Sequence, residues 1–144
     1  MTSPILRSTL AALACAAALA FASPSMAAMV NLKADLKPSN EVPPNDSKGS
    51  GSLTATYDDA SKKLSWKGSI SGLSGPATAA HFHAGETGKN GAVVVPITGA
   101  DKGSFEGSAT LTDAQAADML AGKWYVNVHT AANKAGEIRG QLAK

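Results

Sequence analysis

The residues of this chain best suited to chemistry are its three histidines, His81, His83 and His129. Two of them sit one residue apart in "AAHFHA", and the third lies near the end of "WYVNVHT". In a β-strand, side chains at i and i+2 leave the same face. His81 and His83 therefore project together, while Phe82 points the other way, into the core. The same alternation separates Trp124, Val126 and Val128 from Tyr125, Asn127 and His129. If the two strands lie close together, three imidazoles converge. Such a set suits copper or zinc, both of which take imidazole nitrogen readily. Copper is the favoured ion and zinc the second choice. To share one ion through bonds near 2 Å, the three nitrogens must come within about 4 Å of one another. Protonated imidazole cannot bind metal, so affinity is expected to fall below about pH 6. The competing account is structural: the rings pack at strand ends and satisfy backbone groups. Glu86 or Glu137 could add a carboxylate, but both read as solvated surface charges.

Other chemistries are poorly supplied. The only cysteine is Cys15, and no serine sits in a G-x-S-x-G turn. Asp58-Asp59 falls where a hairpin turns, which is turn chemistry rather than acid–base work. "GETGKNG" lacks the G-x-x-x-x-G-K-[ST] spacing of a phosphate loop and opens no helix. Arg139 alternates with Glu137 and Gln141, which reads as a cross-strand row of ion pairs or hydrogen bonds. No catalytic residue is assigned.

The elements that must position the histidines are short strands. "VNLKADL" alternates Val30, Leu32, Ala34 and Leu36 with polar residues, the period of a half-buried strand. "SLTATY" and "LSWKGSI" flank "DDASKK" and read as an antiparallel hairpin. "AVVVPI" is a buried strand whose Pro96 marks its end or a sheet edge. "GSFEGSATL" is strand-like, and "KWYVNVHT" and "EIRGQL" close the series. "TDAQAADMLAG" differs: Thr112 and Gln115 have capping-box spacing and Gly122 stops the segment, so it reads as one short helix. "KPSNEVPPNDSKGSG" and "GETGKNG" are loops. About eight strands and one helix predict an all-β fold, an antiparallel Greek-key sandwich or barrel. Trp66, Trp124, Tyr57 and Tyr125 are expected to anchor its core.

Residues 1–27 read as a secretory signal peptide: Arg7, then an uncharged apolar run, then small residues with Ser25 and Ala27 at cleavage spacing. The run falls short of the about 20 residues that span a membrane. Removing 27 of the 144 residues leaves a single domain of 117, residues 28–144, without Cys15 and hence without disulfides. Losing Arg7 takes the 13 basic residues to 12 against 11 acidic ones. That balance offers no basic patch for nucleic acid and no cationic helix for a membrane surface.

Three stretches, "NEVPP", "HFHAGETGKNGAVVVPI" and "YVNVHTAANKAGEIRGQL", together resemble the CHRD domain. That domain is named after chordin, an extracellular antagonist of bone morphogenetic proteins, and also occurs alone in secreted bacterial proteins. The resemblance runs from about Val30 to Leu142, and "NVHT", a short turn, then "GEIRGQ" is its most specific part. It implies an extracytoplasmic β-sandwich, periplasmic or secreted, and implies little about activity. Lys134 stands where family members often have proline. A second likeness is to the copper/zinc superoxide dismutases, in which an H-x-H pair and a later strand-borne histidine hold copper. It implies copper ligands at His81, His83 and His129. This chain has no fourth histidine to bridge two metals, no evident zinc loop and no disulfide pair.

The expectation is therefore an extracytoplasmic domain that binds a metal ion through His81, His83 and His129, for binding, storage or delivery. One alternative is a metal-free adhesion or protein-binding module whose two long loops make the contacts. Another is a small copper redox enzyme.

Overall fold

The computed structural model describes residues 28–144. The expected signal peptide, with Cys15, lies outside the described residues. Eight strands form: β1 (Met29–Leu36), β2 (Ser50–Asp58), β3 (Lys63–Ser71), β4 (Ala77–Ala84), β5 (Val93–Ile97), β6 (Ser104–Thr110), β7 (Trp124–Thr130) and β8 (Ile138–Gln141). The helix α1 (Asp113–Leu120) sits between β6 and β7. The strands make two antiparallel four-stranded sheets, ordered β1-β2-β3-β6 and β5-β4-β7-β8. The chain changes sheet after β3, β5 and β6. The result is an all-β sandwich, not a closed barrel.

Alternation builds the core. Leu32, Ala34 and Leu36 of β1, Leu53, Ala55 and Tyr57 of β2, and Leu64, Trp66 and Ile70 of β3 turn inward. They meet Ala80, Phe82, Val95, Ile97, Trp124, Val126 and Val128 from the other sheet. Removing such side chains from water stabilises by roughly 1.5–3 kcal/mol each. The Phe82 ring joins the sheets, edge-on to Trp66 at 5.0 Å between centroids and tilted against Trp124 at 6.0 Å. Its neighbours His81 and His83 must then face outward. Pro96 lies on β5, an edge strand, where its missing N–H costs no ladder bond.

Tyr125 corrects the expectation that it anchors the core. It is buried, but on the outer face of its sheet, beside His83. The core aromatic anchors are Tyr57, Trp66, Phe82, Phe105 and Trp124.

One side of the sandwich is fastened by backbone. Lys33 and Ala143 exchange hydrogen bonds of 2.7 and 2.9 Å, and Lys37 and Arg139 exchange bonds of 2.9 and 3.1 Å. The segment after β1 then runs across β8 through a 3-10 turn at Pro38–Asn40. Its amides turn inward: Asn40 donates to the Arg139 carbonyl at 3.1 Å and Asn45 to the Glu137 carbonyl at 3.0 Å. In α1, Thr112 Oγ1 accepts from the Gln115 amide and Gln115 Oε1 from the Thr112 amide, the expected capping box.

Candidate metal centre

Strand register brings the histidines together. His81 lies opposite Asn127, His83 opposite Tyr125, and Ala79 opposite His129. His129 is thus the diagonal neighbour of His81 across β4 and β7, within reach of a long side chain. One nitrogen from each of the three rings lies within 4.8 Å of the others. His81 Nδ1 and His129 Nε2 are 3.3 Å apart. That is the separation of two ligands on a tetrahedral ion with bonds of about 2.0–2.1 Å. The widest spacing, 4.8 Å, exceeds the about 4 Å that two such bonds span. His81 and His129 are both only partly buried.

The free lone pairs are set by the bonds on the other side of two rings. His83 Nδ1 lies 2.9 Å from the Gly91 carbonyl, and His129 Nδ1 lies 2.9 Å from the Lys134 carbonyl. A carbonyl only accepts, so both Nδ1 atoms donate, and each neutral ring keeps its lone pair on Nε2. A backbone carbonyl holding the far nitrogen is the usual support of a metal-bound histidine. His83 Nε2 is buried and makes no hydrogen bond, although the Asn127 amide lies near it. A buried polar atom without a partner costs about 1–3 kcal/mol. It is one of six such side-chain atoms among the described residues, with Asn127 Oδ1 and Glu41 Oε1 on the same side of the sandwich.

The surroundings of His81 and His83 oppose their protonation. Burial pushes His81 below its ordinary 6.5, and the neighbouring imidazoles His129 and His83 push it further. Burial also lowers His83, against the opposing Gly91 hydrogen bond, with His129 and Arg139 adding to the fall. No carboxylate is among the groups acting on either ring. Burial thus disfavours the protonated forms of His81 and His83, and neutral imidazole is the form that binds metal.

The expected surface carboxylates divide. Glu86 is exposed and paired with Lys89 at 3.0 Å. Glu137 is not a solvated charge: it is fully buried. Its carboxylate accepts from Ser47 Oγ (2.5 Å), Ser74 Oγ (2.6 Å), Thr130 Oγ1 (2.5 Å) and the Ser74 amide (2.7 Å). By the alternation of β7, Thr130 lies on the opposite side from His129, so Glu137 serves the fold and not the cluster. Burial alone would raise its pKa, but the hydroxyl donors overcome that and hold it down at about 2.

Arg139 is also more than part of a surface row. It is buried, with its guanidinium carbon 3.4 Å from the centre of the Tyr125 ring. Tyr125 in turn stacks on His83, with centroids 4.8 Å apart and planes 7° from parallel. Arg139 donates to Asn90 Oδ1 and to the Glu86 and Lys89 carbonyls, and makes no ion pair among the described residues. The alternation of β7 already put Tyr125 on the face of His129, whereas Glu41 was missed as part of it. Glu41 is buried against Arg139 and Asn127, and burial raises its carboxyl to about 7 despite both neighbours. The i+2 spacing of Asn127 and of Tyr125 about the histidine face was the available signal; a loop glutamate gives none.

A family model described as the CHRD domain matches residues 32–142, which span β1 through the segment after β8. No curated protein matches, and no solved structure matches. The matched range holds all three histidines, the buried Glu41 and Glu137, and Arg139 with its stack. The chain belongs to the CHRD domain family.

Proposed function

We propose that this CHRD domain binds a single metal ion through His81 Nδ1, His83 Nε2 and His129 Nε2, with copper favoured over zinc. Its role is metal binding or delivery outside the cytoplasm, in the periplasm or after secretion. Domains of this family occur in extracellular and secreted proteins. No helix among the described residues is long and apolar enough to cross a membrane. One observation carries the reading: strands β4 and β7 bring one nitrogen from each of three imidazoles within 4.8 Å of the others. A metal ion would also give the buried His83 Nε2 a partner. The loops offered by the protein-binding alternative spend much of their polarity internally, Asn40, Asn45, Ser47 and Asn90 all bonding elsewhere in the chain.

The test is calorimetric titration of the purified protein with copper(II), zinc(II) and, under anaerobic conditions, copper(I), beside a triple His81/His83/His129→Ala variant. One-to-one binding that disappears in the variant supports the reading. Absence of binding, or binding unchanged in the variant, overturns it and returns the histidines to structure.

A further inference from the structure

We propose that Arg139, held behind Tyr125, makes the three-histidine site prefer a soft monovalent ion, cuprous copper, over any divalent ion. This rests on the metal reading above and names the class of ion that it takes.

The first argument is geometric. Arg139, Tyr125 and His83 form one column, guanidinium on phenol ring on imidazole. The column cannot slide. Arg139 is tied to the 86–90 loop at 3.1 Å (Asn90 Oδ1), 3.2 Å (Glu86 carbonyl) and 2.6 Å (Lys89 carbonyl). Tyr125 Oη accepts from the Gly91 amide at 3.1 Å, and His83 donates to the Gly91 carbonyl. Every acceptor on Arg139 is a neutral oxygen. Its positive charge is therefore directed, through the stack, at a metal ligand, with no bound carboxylate to cancel it.

The second argument is the charge inventory of the site. All three ligands are neutral imidazoles. Of the nearby acids, Glu86 is spent on Lys89 at the surface and Glu137 is enclosed by hydroxyls on the other side of β7. Glu41 lies against Arg139 and Asn127, and burial raises its carboxyl to about 7, so near neutral pH it offsets the guanidinium only in part. An ion bound here meets a fixed positive charge that the nearby acids offset only in part. A divalent ion feels twice the repulsion and loses far more hydration on entering a buried site. The low positive charge of a cuprous ion suits a site that neutral donors alone must satisfy.

Silver(I) and zinc(II), which do not change oxidation state, separate charge class from redox chemistry. Both are titrated calorimetrically into the purified protein, together with copper(I) under anaerobic conditions. The same titrations are made on Arg139→Gln, Arg139→Lys and the triple histidine variant. Silver(I) and copper(I) are expected to bind one to one, through the histidines, at least about 100-fold tighter than zinc(II). Arg139→Gln should narrow that ratio by about tenfold, the effect of one charge some 10 Å away in a protein-like dielectric. Arg139→Lys, which keeps the charge without the planar stack, should retain most of it. The wild-type ratio tests the preference even if a variant fails to fold. Histidine-dependent zinc binding as tight as silver overturns this inference and leaves the metal site standing. A ratio that Arg139→Gln leaves unchanged overturns the part given to Arg139. Loss of all histidine-dependent binding, of every ion, overturns the metal reading and this inference with it.

Discussion

His83 is caught between two demands. Its Nδ1 is committed to Gly91 and its Nε2 is shut away from water. Its pKa, and that of His81, lies below the ordinary 6.5, chiefly through burial. Folded-state pKa values below the unfolded value mean that the unfolded chain takes up protons first. Stability is then full above about pH 6.5 and declines as pH falls through the lowered values. Thermal melts of the metal-free protein between pH 7 and 5 should show that decline, and His83→Phe should reduce it. Glu137 and Glu41 act lower and higher on the scale. Glu137, at about 2 against an ordinary 4.5, contributes stability that is present above pH 4.5 and lost as pH falls towards 2. Glu137→Gln should cost about 3 kcal/mol at pH 7 in urea unfolding and little at pH 2. Glu41, at about 7, has the opposite sign: its contribution is intact below pH 4.5 and lost as pH rises through 7. Glu41→Gln should therefore leave stability near pH 4 unchanged and raise it at pH 8, by up to about 3 kcal/mol.

At the scale of elements, the 85–91 loop is the part that links fold to site. A Cβ on Gly91 would stand 1.5 Å from the Ala84 carbonyl oxygen, so no other residue fits without moving the end of β4 or the loop. The Gly91 carbonyl is also the acceptor that orients His83. Gly91→Ala should thus lower metal affinity by about tenfold, the scale of a lost supporting contact, and destabilise by about 1–3 kcal/mol. The capping box of α1 is a useful contrast. Thr112→Ala should cost about 1 kcal/mol in thermal or urea melts and leave metal binding untouched, because α1 contributes no residue to the histidine face. Both elements were legible from residue types: glycines bounding a polar loop, and threonine three residues before glutamine. The sequence did not reveal that the loop is clamped by Arg139 and Tyr125, because those contacts join residues some tens of positions apart.

Over the whole molecule, the two sheets share one core through Trp66, Phe82 and Trp124, and backbone bonds fasten β1 to the β8 side. They should unfold together. Tryptophan fluorescence and far-ultraviolet circular dichroism should give one coincident transition, and Trp124→Ala should lower its free energy by about 3–5 kcal/mol. The strands, the helix, the inward side chains other than Tyr125 and the shared face of His81 and His83 were legible along the chain. Those follow from local periodicity and capping, which act over a few residues. The outer-face position of His129 follows in the same way. That His81 and His129 meet was not legible, since it depends on the β4–β7 register between segments 48 residues apart. Tertiary packing also sets which acids are enclosed. Glu137 and Glu86 are the same residue type in polar loops, yet one is buried under Ser47, Ser74 and Thr130 and the other remains in water. Burial of a charge depends on donors that distant segments bring to it, and no pattern along the chain records that meeting.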